Sequence, residues 1–185
     1  MTRATLSTLT SLRILIPIIL LLAAVAIFLN RAHRNQNPNP NQTSHLPAKT
    51  LTAVLLGIYF IIYLYLTFGF RRPAKTASIN LTPLWSYREA FQFTPLKIRR
   101  LGIARQILLN ILLTIPPGLL LPILYHKTRH PYLLTVLTIL ALSVITETLQ
   151  YFTHLGLCET DDLIDNLLGG LLGMGVLRLG SLGRR

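Results

Sequence analysis

Acidic side chains in this sequence are concentrated in one short stretch toward its C-terminal end. Of the six Asp and Glu residues in the chain, only Glu89 lies elsewhere. Carboxylates can transfer protons, bind cations or accept hydrogen bonds that hold helices together. Glu147 lies inside an apolar run, where a charge costs roughly 2.5–3.5 kcal/mol to insert into a membrane, so we expect it to face the protein interior. The carboxylates of this stretch are Glu147, Glu159, Asp161, Asp162 and Asp165.

Polar residues recur at helical spacing on three apolar segments, which places each set on one face of a helix. We predict that these faces meet in a polar pocket near one membrane surface. The alternative is that the same side chains only join the helices and bind nothing. The predicted pocket residues are Gln106, Asn110, Glu147, Gln150, Asp161, Asp162, Asp165 and Asn166.

Two glycines follow the acidic residues at a spacing of four, on the same face of the last helix. Gly169 and Gly173 form a G-x-x-x-G pattern, which allows two helix backbones to approach closely in a membrane. We therefore predict that the polar face and the close-packed face of this helix coincide.

Several kinds of site are not predicted. Cys158 is the only cysteine, and the sequence contains no H-E-x-x-H pattern, so we expect no metal and no cofactor. No Ser-His-Asp arrangement for nucleophilic catalysis is readable. The net charge of +12 comes mainly from Lys and Arg beside apolar runs, which indicates contact with anionic lipid head groups and not with nucleic acid.

Long apolar segments must position these residues. Hydrophobic residues make up 51% of the chain, charged residues make up only 13%, and the mean hydropathy is +0.52, which together favour a membrane protein. We predict an all-α polytopic membrane helical bundle with five spans, or four if the first is a cleaved signal. Ala24-Val25-Ala26 fits such a cleavage site, but the apolar run continues past it. The predicted spans are Ile14–Leu29, Leu51–Phe70, Leu101–Tyr125, Pro131–Phe152 and Leu163–Leu179.

The predicted organisation has four parts: an N-terminal transmembrane helix or signal anchor (1–30), a flexible polar linker (31–50), a transmembrane domain (51–180) and a basic tail (181–185). We expect a short interfacial helix over Trp85–Phe93, a kink at Pro116-Pro117-Gly118, and capping of the last helix by Thr160, Asp161 and Asp162. Basic residues divide almost evenly between the two sides of a five-span arrangement, so charge assigns no orientation.

The order of these motifs resembles the VanZ-like family of membrane proteins, named after a teicoplanin-resistance protein. The match covers roughly residues 51–176, and it departs from the family pattern at Leu155-Gly156, where the family carries a basic residue. The segments that carry the resemblance are Asn80-Leu81-Thr82-Pro83-Leu84, Asn110 with Ile115-Pro116-Pro117-Gly118, Ser143 with Glu147 and Gln150, and Asp161-Asp162-Leu163-Ile164 with Asn166 and Gly169.

The resemblance implies a multi-pass protein of a bacterial cell membrane that is linked to glycopeptide or lipoglycopeptide susceptibility. One hypothesis is a non-enzymatic envelope protein whose partners are the lipid bilayer and either envelope lipid intermediates or amphiphilic antibiotics. The alternative is a membrane-embedded enzyme acting on an envelope lipid or a peptidoglycan precursor, with Glu147 or Asp162 as the acid/base. A buried carboxylate with a raised pKa would suit the second hypothesis.

Overall fold

The computed structural model of the chain describes residues 16, 19–20, 22–28, 48–69, 76, 78–91 and 97–182. Within these ranges the chain is almost entirely helical, which confirms the predicted all-α class. Helix α1 comprises the described helical residues 22–28. The following elements are α2 (Ala48–Phe68), β1 (Ser78–Asn80), α3 (Trp85–Phe91), α4 (Lys97–Leu124), α5 (Pro131–Thr153), β2 (Leu157–Glu159) and α6 (Thr160–Leu182).

Four described helices are long and apolar enough to cross a membrane, and they match four of the five predicted spans. Of the first predicted span, residues 16, 19–20 and 22–28 are described and are helical, and the others lie outside the described residues. The four spans are Lys49–Phe68, Arg100–Leu124, Pro131–Thr153 and Thr160–Gly180.

The distribution of side chains between the inside and the outside of the bundle is that of a membrane protein. Large apolar side chains point outward, including Ile61, which is 70% exposed, and Leu133, which is 55% exposed. Many of the buried side chains are polar or acidic, such as Thr135, Gln150 and Asp161. Lipid replaces water around the spans, so an outward Leu costs nothing while an outward carboxylate is expensive.

Helix α6 packs most extensively against α4, and glycines make this approach possible. A Cβ atom added at Gly169 would collide with the carbonyl oxygen of Ile111, and one added at Gly173 would collide with that of Ile115. Successive residues of α6 contact successive residues of α4 in the same order, so the two helices are parallel. Helix α5, which lies between them in the sequence, is antiparallel to both.

Helix α4 is continuous from Lys97 to Leu124 although it contains Pro116, Pro117 and Pro122. Each proline lacks the N–H that would bond to the carbonyl four residues earlier. Pro117 therefore leaves the carbonyl oxygen of Leu113 without its helical donor, and the hydroxyl of Tyr59 on α2 donates to that oxygen at 2.6 Å. A transverse hydrogen bond thus replaces one lost along the helix.

The apolar core lies where α2, α4 and α6 meet the N-terminal residues. Its largest fully buried side chains include Leu119 and Leu120 of α4. The buried cluster joins all these elements: Ile19, Leu22, Ala26, Tyr59, Tyr63, Leu113, Leu119, Leu120, Ile123 and Leu177.

Two short strands form a parallel pair that the sequence did not predict. β1 pairs with β2 in a register that places Ser78 opposite Leu157 and Asn80 opposite Glu159. Each strand has only three residues, which is too short for an alternating hydrophobic pattern to reveal. The pair fixes the segment before α3 against the segment that leads into α6.

Candidate functional site

Carboxylates of the acidic stretch are buried together at the end of the bundle where α4 and α6 begin and α5 ends. Glu147 is 4% exposed, Glu159 3% and Asp162 2%, while Asp161 and Asp165 are wholly inaccessible. We call these five side chains the acidic cluster. Burial of so many acids requires hydrogen-bond donors close to them, since an unpaired buried charge is very costly.

Gln106 of α4 is one such donor. Its Nε2 atom donates to Oε2 of Glu159 at 3.0 Å and to Oδ1 of Asp162 at 3.2 Å. The backbone N–H of Glu159 in turn donates to Oε2 of Glu147 at 3.0 Å. These contacts join α4, α5, β2 and α6, so predicted pocket residues from three spans meet around Glu159.

Asp161 binds the start of α3. One carboxylate oxygen accepts the N–H of Leu84 at 2.5 Å, and the other accepts both the N–H of Ser86 at 2.8 Å and its hydroxyl at 2.6 Å. The unpaired N–H groups at a helix start favour an anionic acceptor. Capping chemistry was predicted for Asp161 at the start of its own helix, and the bonds described here are to another helix.

The backbone immediately before α3 adopts a conformation that this contact helps to hold. Leu84 has a φ of 60°, in the left-handed region that a residue with a branched side chain rarely occupies. Its N–H is one of the three donors to Asp161. The acid therefore fixes both the position and the local conformation of this segment.

Asp165 lies one turn farther along α6 and accepts a hydrogen bond from the hydroxyl of Tyr87 on α3. Burial raises the pKa of Tyr87 above its ordinary value, and the hydrogen bond and the nearby carboxylates of Asp165 and Asp161 raise it further. Within the described residues the second oxygen of Asp165 is buried without a hydrogen-bond partner. The same holds for the side-chain nitrogen of Asn110, on the face of α4 that packs against α6.

The remaining predicted residues occupy neighbouring positions. Nδ2 of Asn166 donates to the hydroxyl of Ser143 at 2.7 Å, which ties α6 to α5. Gln150 is 2% exposed and lies one turn beyond Glu147. His154 ends α5 in a left-handed conformation, with its N–H directed at the last carbonyls of that helix.

Sequence patterns did not assign site roles to Ser86, Tyr87 or Tyr63. The predicted pocket drew only on stripes within the spans, and α3 lies outside them. A signal was present nonetheless: buried acids need donors, and hydroxyl groups at the start of a short helix close to the spans can supply them. Tyr63 of α2 shares a hydrogen bond of 2.9 Å with Thr146, the residue before Glu147.

Cys158 of β2 reports the electrostatic environment of the cluster. Burial raises the pKa of its thiol, and the negative charges of Glu147, Asp162 and Glu159 raise it further. The sole thiol is therefore a weaker nucleophile at neutral pH than an ordinary cysteine, because the thiolate is the reactive form.

A cavity of about 60 Å³ lies between the spans, on the inner side of the acidic cluster. It is partly enclosed and lined almost wholly by apolar atoms of α2, α4, α5 and α6. Tyr63, Ser143 and Asn166 are among its lining residues. Ser143 lies one turn before Glu147 on α5 and Asn166 lies one turn after Asp162 on α6, so this end of the cavity is near the cluster.

The described side chains contain no group of three or more His, Cys, Asp or Glu arranged to hold a metal ion. The donors described above for these carboxylates are amides, hydroxyls and backbone N–H groups. Such a site can accept hydrogen bonds from an ammonium, amide or hydroxyl group. It can also store a proton.

Comparison with known proteins gives one result. A protein-family model described as VanZ/LLP1 matches residues 14–181 of the chain, which include all four described spans and the whole acidic cluster. No match was found among curated proteins or among solved structures.

Proposed function

Because the chain belongs to the VanZ/LLP1 family, we propose that it is a non-catalytic membrane protein that changes the susceptibility of the cell envelope to glycopeptide and lipoglycopeptide antibiotics. Membership links the chain to glycopeptide resistance at the level of the family. In our proposal the protein acts by binding the polar part of a lipid-linked or amphiphilic molecule at the acidic cluster. The host is a bacterium and the location is its cell membrane.

The observation that carries this proposal is the burial of five carboxylates at one end of a membrane bundle. Ionisable groups are costly in a span and are retained mainly where they serve a function. A purely structural role would be served as well by neutral amides, which form interhelical hydrogen bonds without a charge to bury. Carboxylate oxygens accept hydrogen bonds from an ammonium group or from other donors, so we propose a polar part that carries such groups.

Binding is favoured over catalysis by the bonds that these acids make. Glu147 accepts the N–H of Glu159, and Gln106 donates to Asp162, so the two candidate acid/base groups are held by neighbours. To act as a general acid or base, either group would first have to exchange these bonds for one to the group whose proton it transfers. Turnover of an envelope lipid or peptidoglycan precursor by the purified protein would support the enzyme alternative.

The test is antibiotic susceptibility of a teicoplanin-sensitive bacterium that expresses the chain. We expect wild-type protein to change the inhibitory concentration of teicoplanin several-fold, and Glu147→Gln or Asp162→Asn to remove most of this change. Both variants remove a charge but keep the size of the side chain. Glu89→Gln is the matched control, because Glu89 is the sole acid outside the cluster.

Protein levels in the membrane must be equal, as measured by immunoblot, since a variant that is degraded would imitate a loss of function. If wild-type protein changed neither teicoplanin sensitivity nor the level of lipid-linked wall intermediates, the proposal would fail. Equal activity of the wild type and both cluster variants would show that the acidic cluster takes no part in the proposed function.

Reporter fusions after Lys49, Lys75, Lys127 and Glu159 address which molecules can reach the cluster. If a reporter after Glu159 is active outside the cell, the cluster lies on the outer side of the membrane, where antibiotics can reach it. If a cytoplasmic reporter at the same position is active, the cluster lies on the inner side, where cytoplasmic precursors can reach it.

A further inference from the structure

The proposed function requires an outside molecule to meet carboxylates that are closed off in this structure. Asp161 and Asp165 are wholly inaccessible, and the other three acids of the cluster are at most 4% exposed. A polar group can therefore bind them only after another part of the chain has moved aside. Helix α3 covers Asp161 and Asp165 and lies outside the spans, so its displacement leaves the packing of the spans intact.

The attachment of α3 depends largely on hydrogen bonds to these two acids. Asp161 accepts the N–H groups of Leu84 and Ser86 and the hydroxyl of Ser86. Asp165 accepts the hydroxyl of Tyr87. The side chain of Leu84 is 46% exposed, so its burial adds little to the attachment. Release would also let Leu84 leave its left-handed backbone conformation, which is costly for a residue with a side chain.

Hydrogen-bonding groups beside α3 are not all used by it. One oxygen of Asp165 is buried without a hydrogen-bond partner among the described residues, and so is the side-chain nitrogen of Asn110. Gln106 of α4 bonds to Asp162 of α6. Asn110 and Asp165 each lie about one turn farther along these parallel helices, which places the two at the same level. Buried polar atoms normally have a partner, so an acceptor and a donor remain for a bound group.

We propose that α3 occupies the binding site of the proposed function, and that the ligand displaces it by presenting the same donors. The inference rests on the proposed function and adds the class of ligand. Ser86 offers Asp161 an amide N–H and a hydroxyl on neighbouring carbon atoms. The polar part of the ligand carries the same pair, as an N-acylated amino sugar or an N-acylated amino alcohol does. Its amide oxygen can accept from Asn110, and its hydrocarbon part can remain in the bilayer, because α3 lies where α4 and α6 begin.

The test uses the full chain in dioleoylphosphatidylcholine vesicles, with dodecyl N-acetyl-β-D-glucosaminide as the probe. Trp85 is the only tryptophan and lies at the start of α3, so its emission and its quenching by acrylamide report displacement of the helix. We expect a saturable change with this probe. Dodecyl β-D-glucoside has a hydroxyl in place of the acetamido group, and its half-saturating concentration should be several-fold higher.

A third probe separates the two sources of the amide and hydroxyl pair. N-Dodecanoylserinol carries the pair without a sugar ring. A half-saturating concentration at or below that of the glucosaminide would assign the ligand to the amino alcohols, and a higher one would assign it to the amino sugars. Both results support the inference, provided that the glucoside is the weakest of the three.

Weakening the hold of α3 should strengthen binding, since the helix and the ligand compete for the same acceptors. Ser86→Ala removes one donor to Asp161 and leaves every acceptor in place. The half-saturating concentration of tritiated glucosaminide should therefore fall several-fold, and Tyr87→Phe should act in the same direction. Asp161→Ala removes the acceptor that both use and should abolish saturable binding. Tyr132→Phe, at an exposed position of α5, is the matched control and should change nothing.

The outcomes distinguish the two proposals. Circular dichroism and elution volume must match those of the wild type for each variant. An unchanged or higher half-saturating concentration in Ser86→Ala would show that α3 does not compete with the ligand and would overturn the inference. Equal responses to the glucosaminide and the glucoside would overturn it as well. Both results would leave the proposed function intact, because its susceptibility assay depends on Glu147 and Asp162 and not on release of α3. Failure of that assay with the wild type would remove both proposals.

Discussion

The hydroxyl of Tyr59 donates a hydrogen bond to the carbonyl oxygen of Leu113, 2.6 Å away on α4. That oxygen would ordinarily accept the N–H of residue 117, which is a proline. Tyr59 and Leu113 are both buried in the apolar core. One side chain of α2 therefore compensates for a helix-breaking residue of α4 in a place that water does not reach.

Loss of the Tyr59 hydroxyl should cost more stability while Pro117 is present than when residue 117 is alanine. Tyr59→Phe leaves the Leu113 carbonyl without this donor, which should lower the free energy of unfolding by about 1–3 kcal/mol. In a Pro117→Ala background the N–H of residue 117 can bond to that carbonyl, so the same change should cost less. A double-mutant cycle measured by unfolding in detergent would give this coupling. Identical costs in the two backgrounds would contradict the compensation.

Asp161 should control the attachment of α3. Asp161→Ala removes the acceptor for three hydrogen bonds from Leu84 and Ser86, and loss of a cap typically costs about 0.5–2 kcal/mol. Trp85 is the only tryptophan and lies between these donors, so its fluorescence reports release of the helix. Asp161→Asn, which keeps one acceptor oxygen, should have a smaller effect, and Glu89→Gln should have none. An unchanged Trp85 spectrum and unchanged quenching in Asp161→Ala would refute this role.

Tyr87→Phe should destabilise the junction of α3 and α6. The change removes the donor to Asp165, whose other oxygen is buried without a described partner. A buried acceptor left unpaired costs about 1–3 kcal/mol, and more when it is charged. Thermal unfolding in detergent is the measurement, and Tyr132→Phe, at a site that is 46% exposed, is the control. Equal melting temperatures for the two variants would argue against a buried contact.

The glycines of α6 should differ sharply in their tolerance of alanine. At Gly169 and Gly173 a Cβ atom would meet backbone oxygens of α4, whereas at Gly175 nothing lies within 4 Å. We expect Gly169→Ala and Gly173→Ala to cost about 1–3 kcal/mol through overpacking. Gly175→Ala should be neutral or slightly stabilising, since alanine is the better helix former. Similar stabilities for all three variants would show that α4 and α6 are not closely packed.

The reactivity of the native Cys158 thiol depends on the charge of the acidic cluster, so this charge can be measured without introducing another cysteine. The negative charges of Glu147, Asp162 and Glu159 help to raise the pKa of its thiol, because they disfavour the thiolate. Glu147→Gln removes one charge, so the thiol pKa should fall and alkylation by iodoacetamide should begin at lower pH. The measurement is the alkylation rate against pH in detergent. Glu89→Gln should leave the profile unchanged, and an unchanged profile in Glu147→Gln would mean that Glu147 carries no charge near this thiol.

The positions of the four described spans could be predicted from the sequence alone. Lipid demands about 20 consecutive apolar residues per helix, and that local requirement is readable from segments such as Pro131–Thr153. The cost of a carboxylate in such a segment predicted that Glu147 would be buried, which it is. The spacing of Gly169 and Gly173 likewise indicated a close helix approach before its partner helix was known.

Only the tertiary structure decided which hydrogen-bond donors and acceptors pair with each other across the bundle. The contacts of Asp161 with Ser86 and of Tyr59 with Leu113 join residues 75 and 54 positions apart, and no helical or strand period connects such positions. The three-residue strands pair with each other, and each is too short to carry a hydrophobic pattern of its own. Periodicity therefore fixed which face of each helix turns inward, while the choice of partner across the bundle depended on how the helices pack.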